Sequence, residues 1–363
     1  MRTLRKYMIE NNLIENTHKT NESVWDIEDN VNDTNDSFFK EKVVNFIHKN
    51  YCTRDVYDTN LRKYRYNVLN YVKLVWDKTV NKYIANCLNP HIVIFFKPYI
   101  RTTFSAENPR EIVSETPPTT LTNGLFEWGV VNGNFDCQRN PQLESLEGAP
   151  KIVKGAFICD SCEGLKTLKG VPNEIGGYFS CNLCTKIKNL EGVPKNINDA
   201  FICSSCHALE SLKGAPDYVG GDFKCSECIK LKSLKDSPKH INKAFICSGC
   251  DSLESLEGAP KMVKGWFDCS YCRNLKSLKG APKKVDGYFY CKACPSLKSL
   301  KGAPEYVGGD FKCTVCPELT SLEGAPKEVG GDFWCTECDN LKSLDGIGKV
   351  GGKIKQVKDR YDY

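Results

Sequence analysis

The chain has 363 residues, of which 26% are charged and 40% hydrophobic, and its 50 Lys+Arg against 45 Asp+Glu leave a net charge of +5. So small an imbalance, with no basic column along the chain, argues against a nucleic-acid partner. The longest apolar stretch, His91 to Phe96, falls far short of the 18 or so residues a membrane-spanning helix needs, so no membrane partner is expected.

The N-terminus, Met1-Arg-Thr-Leu-Arg-Lys-Tyr-Met-Ile-Glu10, is basic but carries no apolar core of signal-peptide length, so secretion by a signal peptide is not expected. With 21 cysteines, that favours a reducing compartment. Residues 1–15 follow an order of Met, basic, Thr, aliphatic or aromatic, then Glu. They resemble the short peptides that send internal proteins into the heads of large tailed bacteriophages. The resemblance implies cleavage after Leu13-Ile14-Glu15, with Leu13 and Glu15 marking the processing site. An amphipathic helix docking on its own chain is the alternative.

Residues 22–36 are acidic and Asn-rich, so residues 1–38 read as an N-terminal peptide followed by an acidic flexible segment. Residues 39–108 read as a small helical or mixed region. Val43, Val44, Phe46 and Ile47 sit among charges at helical spacing between Phe38 and Tyr51. Leu61, Tyr64, Val68, Tyr71, Val72 and Val75 also fit a helix, although their β-branched content leaves strands open.

From residue 109 onward the chain becomes periodic. Cys-x-x-Cys is written nine times between Cys159 and Cys338, and its first cysteine recurs every 22 residues from Cys137 to Cys335. Val153, Phe157, Cys159, Cys162, Leu165, Leu168 and Pro172 reappear as Ile175, Phe179, Cys181, Cys184, Ile187, Leu190 and Pro194. A stack of similar turns requires such a period, whereas a single globular core does not. Phe157 and Cys159 share one face of a short strand of about three to five residues, with Ala156, Ile158 and Asp160 on the other. Gly148-Ala149-Pro150 and its copies then turn the chain.

The order Val-x-Gly-x-Phe-x-Cys-x-x-Cys-x-x-Leu-x-x-Leu resembles the leucine-rich repeat, in which a strand is followed by an Asn or Cys and further leucines. Cys162 and its copies hold that Asn/Cys position, and in the first coil it is Asn140. Gly-Ala-Pro followed by Val-Gly-Gly-Asp-Phe is similar to a repeat variety found in proteins of large tailed bacteriophages. The fold expected is therefore α+β overall: a C-terminal leucine-rich-repeat-like β-solenoid of about ten parallel coils over 109–363, with degenerate caps, behind a small, mainly helical N-terminal region. At the usual strand spacing the stack is about 50 Å long.

Three readings of the cysteines compete. In the adopted one, Cys159, Cys162, Cys181, Cys184, Cys203, Cys206, Cys225 and Cys228 begin two inward structural ladders of small apolar side chains. In the second, adjacent coils gather thiolates around zinc as the one candidate cofactor. In the third, the thiols form disulfides or do redox chemistry. Asn140 opposes the last two if Cys-x-x-Cys acts as a unit, because Cys137 persists without its partner.

The solenoid ends show degenerate units. A starting coil is expected around Ile112 to Leu125 with Trp128 over the first apolar layer, and Lys353-Ile-Lys lies where a last strand would fall. Trp266, Tyr271, Tyr288 and Tyr290 crowd two adjacent coils, and Trp334 lies two coils beyond Tyr290 in the same outward strand column. These five are the candidate partner-binding residues, because exposed aromatics are preferred anchors. His18, His48, His91, His207 and His240 are scattered without recurring partners, so no catalytic or metal residues are assigned. The function expected is a non-enzymatic scaffold that binds a protein in the host cytoplasm or virion interior. A zinc-stabilised repeat module and a virion structural or internal head protein are the alternatives.

Overall fold

Each 22-residue repeat forms one coil of a parallel β-solenoid. A computed structural model describes residues 34–55, 68–96 and 118–356 of the chain, with side chains from residue 39 onward except at 52, 54 and 55. From Ile152 onward each coil carries two strands of two residues, such as Ile152–Val153 and Phe157–Ile158, in place of the single longer strand expected. The chain turns a corner between them, at Lys154-Gly155-Ala156, so they join different walls. The Phe157-type strands all belong to one 13-stranded sheet that runs the length of the stack. The Val153-type strands form the second wall, which is divided into sheets of five, three and five strands.

Register follows the repeat residue for residue. Phe157 pairs with Phe179 and Phe179 with Phe201, and so onward to Phe311 with Phe333. Like side chains therefore stack in columns. The phenylalanine rings from Phe135 to Phe333 lie face to face, with centroids 5.0 to 6.1 Å apart. Val153, Phe157, Cys159, Cys162, Leu165 and Leu168 are all fully buried, so a single coil points six apolar side chains inward. No coil could bury that set alone; stacking does so at both faces of each layer.

The turns recur with equal regularity. The glycine of Gly-Ala-Pro has positive φ throughout, from 84° at Gly148 to 114° at Gly192, in the region open to residues without a Cβ. One coil departs from this: Asp236 takes the place of glycine at φ 68°. A second left-handed residue lies between the two cysteines of each coil, and there the side chain varies widely: Ser161, Leu183, Glu227, Tyr271 and Val315 all have φ between 55° and 61°.

The N-terminal end is closed by different elements. Helix α1 (Thr34–Asn50) is followed by β1 (Tyr51–Asp55), β2 (Lys73–Asp77), β3 (Lys82–Cys87) and β4 (Ile92–Phe96). The expected helix before Tyr51 is thus present, but beyond it there is little helix. Among the described residues of the second expected helix, which begin at Val68, there is a short 3₁₀ turn, Val68–Asn70, and Lys73–Asp77 adopts the strand alternative. Strands β3 and β4 run parallel to the first coil, next to β5 (Phe126–Val131) and β6 (Asn134–Asp136), and continue both walls. Strands β1 and β2 then pair antiparallel to β4 and β3 and end each sheet. Val43, Val44 and Ile47 of α1 are buried in the same core.

Trp128 lies on the first phenylalanine, 5.8 Å from Phe135, as expected of a covering residue, but it is itself covered by Tyr51. The Tyr51 hydroxyl donates to the Leu121 carbonyl at 2.6 Å and accepts from Trp128 Nε1 at 3.1 Å. The proposed starting residues 112–117 lie outside the described residues. At the other end Ile354–Lys355 pairs with Phe333–Trp334, as the repeat predicts. The last layer is half-covered: Leu341, Leu344, Ile347 and Val350 are only partly buried.

Candidate interaction face

The outward side of the long sheet is the one wall that is continuous from end to end. Three columns compose it, because strand residues alternate between core and solvent. Toward the N-terminal end they carry small or aliphatic side chains such as Ala156, Ile158, Ser180, Ala200 and Ile202. Several are half-buried or buried beneath their neighbours, and Ser180 donates to Asp160 at 2.6 Å.

The face changes character at Trp266. Trp266, Tyr271 and Tyr288 are exposed by 39%, 60% and 45%, which is unusual for side chains of this size. Trp266 and Tyr288 occupy one column on successive coils, and the Tyr288 and Tyr290 rings stack with centroids 5.8 Å apart. Tyr271 stands apart from them. It occupies the left-handed turn position beyond the strand, at φ 61°, and its ring contacts no other aromatic ring among the described residues.

Tyr290 and Trp334 are joined through lysine. The column Tyr290, Lys312, Trp334 and Lys355 is set by successive strand pairs. Lys312 Nζ lies 5.4 Å from the Tyr290 ring centre and 4.5 Å from that of Trp334, and Lys355 Nζ lies 3.6 Å from Trp334 on the other side. Lys292 approaches Tyr290 at 5.0 Å. Such cation–π contacts hold the rings in place. Asp310 and Asp332 balance the lysines, with Asp310 3.5 Å from Lys312. Burial and the nearby Asp310 push the Tyr290 hydroxyl pKa up, so the ring stays neutral. The Trp334 indole N–H is buried without an acceptor among the described residues. The sequence signal for this strip is Lys312, which lies 22 residues from both Tyr290 and Trp334.

The cysteine ladders lie on the inward side. Every described cysteine is a free thiol and buried. Asn140 Nδ2 donates to the carbonyls of Cys137, Gln138 and Phe96 at 3.0, 3.0 and 3.3 Å, the task expected of the Asn/Cys position. The cysteines below it in the ladder do the same through sulfur: Cys162 donates to the Cys137 carbonyl and Cys184 to that of Cys159, each at 3.1 Å. Burial raises the Cys87 and Cys335 thiols to about 11 and Cys294 to about 12, keeping them protonated and unreactive. A structural zinc needs four donors, and among the described residues no group of three or more His, Cys, Asp or Glu side chains comes together to hold a metal.

The Leu13 and Glu15 processing site lies outside the described residues. Among the described residues no helix is long and apolar enough to cross a membrane. No protein-family model matches the chain, and neither does any curated protein or solved structure.

Proposed function

We propose that the protein is a non-enzymatic interaction scaffold that binds a protein partner on the outward strand face of its C-terminal coils. The observation that carries this reading is the concentration of Trp266, Tyr288, Tyr290 and Trp334 on one continuous wall, with the latter two braced by Lys312 and Lys355. Pre-ordered aromatic rings lose little entropy on binding, and clusters of them with cations are the usual composition of binding hot spots. The mixed Asp and Lys content favours a protein surface over a polyanion. Tyr271, on the turn beyond the strand, would extend the contact only for a partner wide enough to reach it.

The likeness of the repeats to those of large tailed bacteriophages, and of residues 1–15 to their head-targeting peptides, supports a phage-encoded protein of the host cytoplasm or virion interior. Capture from host-cell lysate on the immobilised full chain tests the binding face. A protein retained by the wild type and lost with Trp266→Ala/Tyr290→Ala, at unchanged circular dichroism, supports it; identical capture by both refutes it. Unfolding by a metal chelator would instead favour the zinc-stabilised module.

A further inference from the structure

The nine Cys-x-x-Cys motifs suggest that each coil's two cysteines form a unit, but the contacts run otherwise. In all nine coils the second cysteine donates its thiol to the carbonyl of the first cysteine one coil earlier, 25 residues back, at 3.0 to 3.4 Å. In five steps the side chains also meet thiol to thiol: Cys137 with Cys162, Cys159 with Cys184, Cys181 with Cys206, Cys203 with Cys228, and Cys225 with Cys250.

This pairing accounts for the one break in the ladder. One coil before Asn140 the facing carbonyl belongs to Phe96 and not to a cysteine, so Asn140 has no thiol to meet. Cys137 keeps its partner, Cys162. The absence of a cysteine at 140 therefore removes no pair, and each of the nine second-position cysteines has a first-position cysteine to meet.

We propose that these inter-coil pairs are disulfide-forming sites, so that a small-molecule disulfide converts the five contacting pairs into staples between successive coils. One protein thiol, as thiolate, attacks the oxidant's S–S bond and releases a first small thiol. The second protein thiol then attacks the mixed disulfide and releases the other. Two protein S–H bonds and one oxidant S–S bond break; one protein S–S bond forms, and the oxidant leaves as two thiols carrying the protons. The surroundings suit this product. No cation is among the buried described residues, so a neutral disulfide is accepted where a metal dithiolate would bring in an uncompensated charge. At the C-terminal end the arrangement differs: Cys338 also meets Cys316 of its own column, and that end is not part of the proposal.

Because the folded core shields the thiols, the reaction is tested during refolding. The full reduced chain is refolded from denaturant in a reduced and oxidised glutathione buffer. The remaining thiols are alkylated and the bonds mapped by non-reducing digestion and mass spectrometry. The expected linkages are Cys137–Cys162, Cys159–Cys184, Cys181–Cys206, Cys203–Cys228 and Cys225–Cys250, with a higher urea midpoint that dithiothreitol reverses. In Cys162→Ser, Cys137 alone among the five first cysteines should become alkylated. Bonds within a coil, such as Cys159–Cys162, bonds along one column, such as Cys159–Cys181, or a natively refolded chain with all these thiols free would each overturn the proposal.

Discussion

The thiol of Cys162 donates to the main-chain carbonyl of Cys137, one coil earlier, at 3.1 Å, as the Asn140 amide donates to the carbonyl of Phe96 in the layer before it. Sulfur is the weaker donor but adds apolar volume, so the ladder serves as hydrogen-bond column and core at once.

That equivalence predicts the tolerance of the position. Cys206→Asn should retain the fold, because the Cys181 carbonyl that accepts from the thiol stands where the Phe96 carbonyl accepts from Asn140. Cys206→Leu keeps an apolar group but overfills the layer and should cost about 1–3 kcal/mol. Urea unfolding of both variants checks the order; a Leu variant as stable as the Asn one would contradict it.

The phenylalanine column predicts a difference between middle and end. Phe223 lies 5.3 Å from the rings of both Phe201 and Phe245, whereas Phe333 stacks on Phe311 alone, with the half-exposed Ile354 on its other side. Phe223→Ala should cost about 3–5 kcal/mol, and Phe333→Ala distinctly less. Equal losses in thermal unfolding would show that the stack does not transmit stability between neighbouring coils.

Asp236 is the one described residue that replaces glycine in the Gly-Ala-Pro turn, at φ 68°. Asp236→Gly should raise stability by about 1 kcal/mol by removing a left-handed strain. The reverse change, Gly214→Ala, should lower it, because the new Cβ would fall 2.5 Å from the Glu191 main chain, where real side chains do not fit. A stability change of the opposite sign in either variant would sink the argument.

The buried thiols predict an alkaline limit. The hydrogen bond with Cys250 pulls the Cys225 pKa down, but burial and the nearby Cys247, Cys228 and Cys272 thiols outweigh it and leave it raised from the ordinary 9.0 to about 12. The unfolded chain therefore loses its protons first as pH rises. The stability tied to the neutral thiols is complete below pH 9.0 and declines as pH climbs toward about 12. The urea midpoint should accordingly fall between about pH 7 and about pH 10.5. A flat profile would mean that the thiols are solvated.

The 22-residue period and the inward residues Val153, Phe157, Cys159, Cys162, Leu165 and Leu168 were legible because every coil repeats them and all are buried. The second strand, Ile152–Val153, was not, since two residues are too few to show an alternation. Nor was the left-handed turn at Ser161, Leu183 and Val315, where the backbone is constant but the residue type is not. The N-terminal coil was hidden by its spacing: Phe135 pairs with Ile94, 41 residues earlier, where later coils pair 22 residues apart. The exposed aromatics were legible individually, but their closeness in sequence does not show that Tyr271, unlike Trp266, lies past the strand on a left-handed turn. The inter-coil cysteine pairing was masked by the conspicuous Cys-x-x-Cys spelling.

Hydrogen exchange of the full chain with and without its captured partner tests the proposed binding face most directly. The account predicts new protection confined to peptides that contain Trp266, Tyr288 to Lys292, Lys312 and Trp334. Protection that falls instead on α1, on the Gly-Ala-Pro turns or on the Ala156 and Ile158 end of the sheet would contradict it.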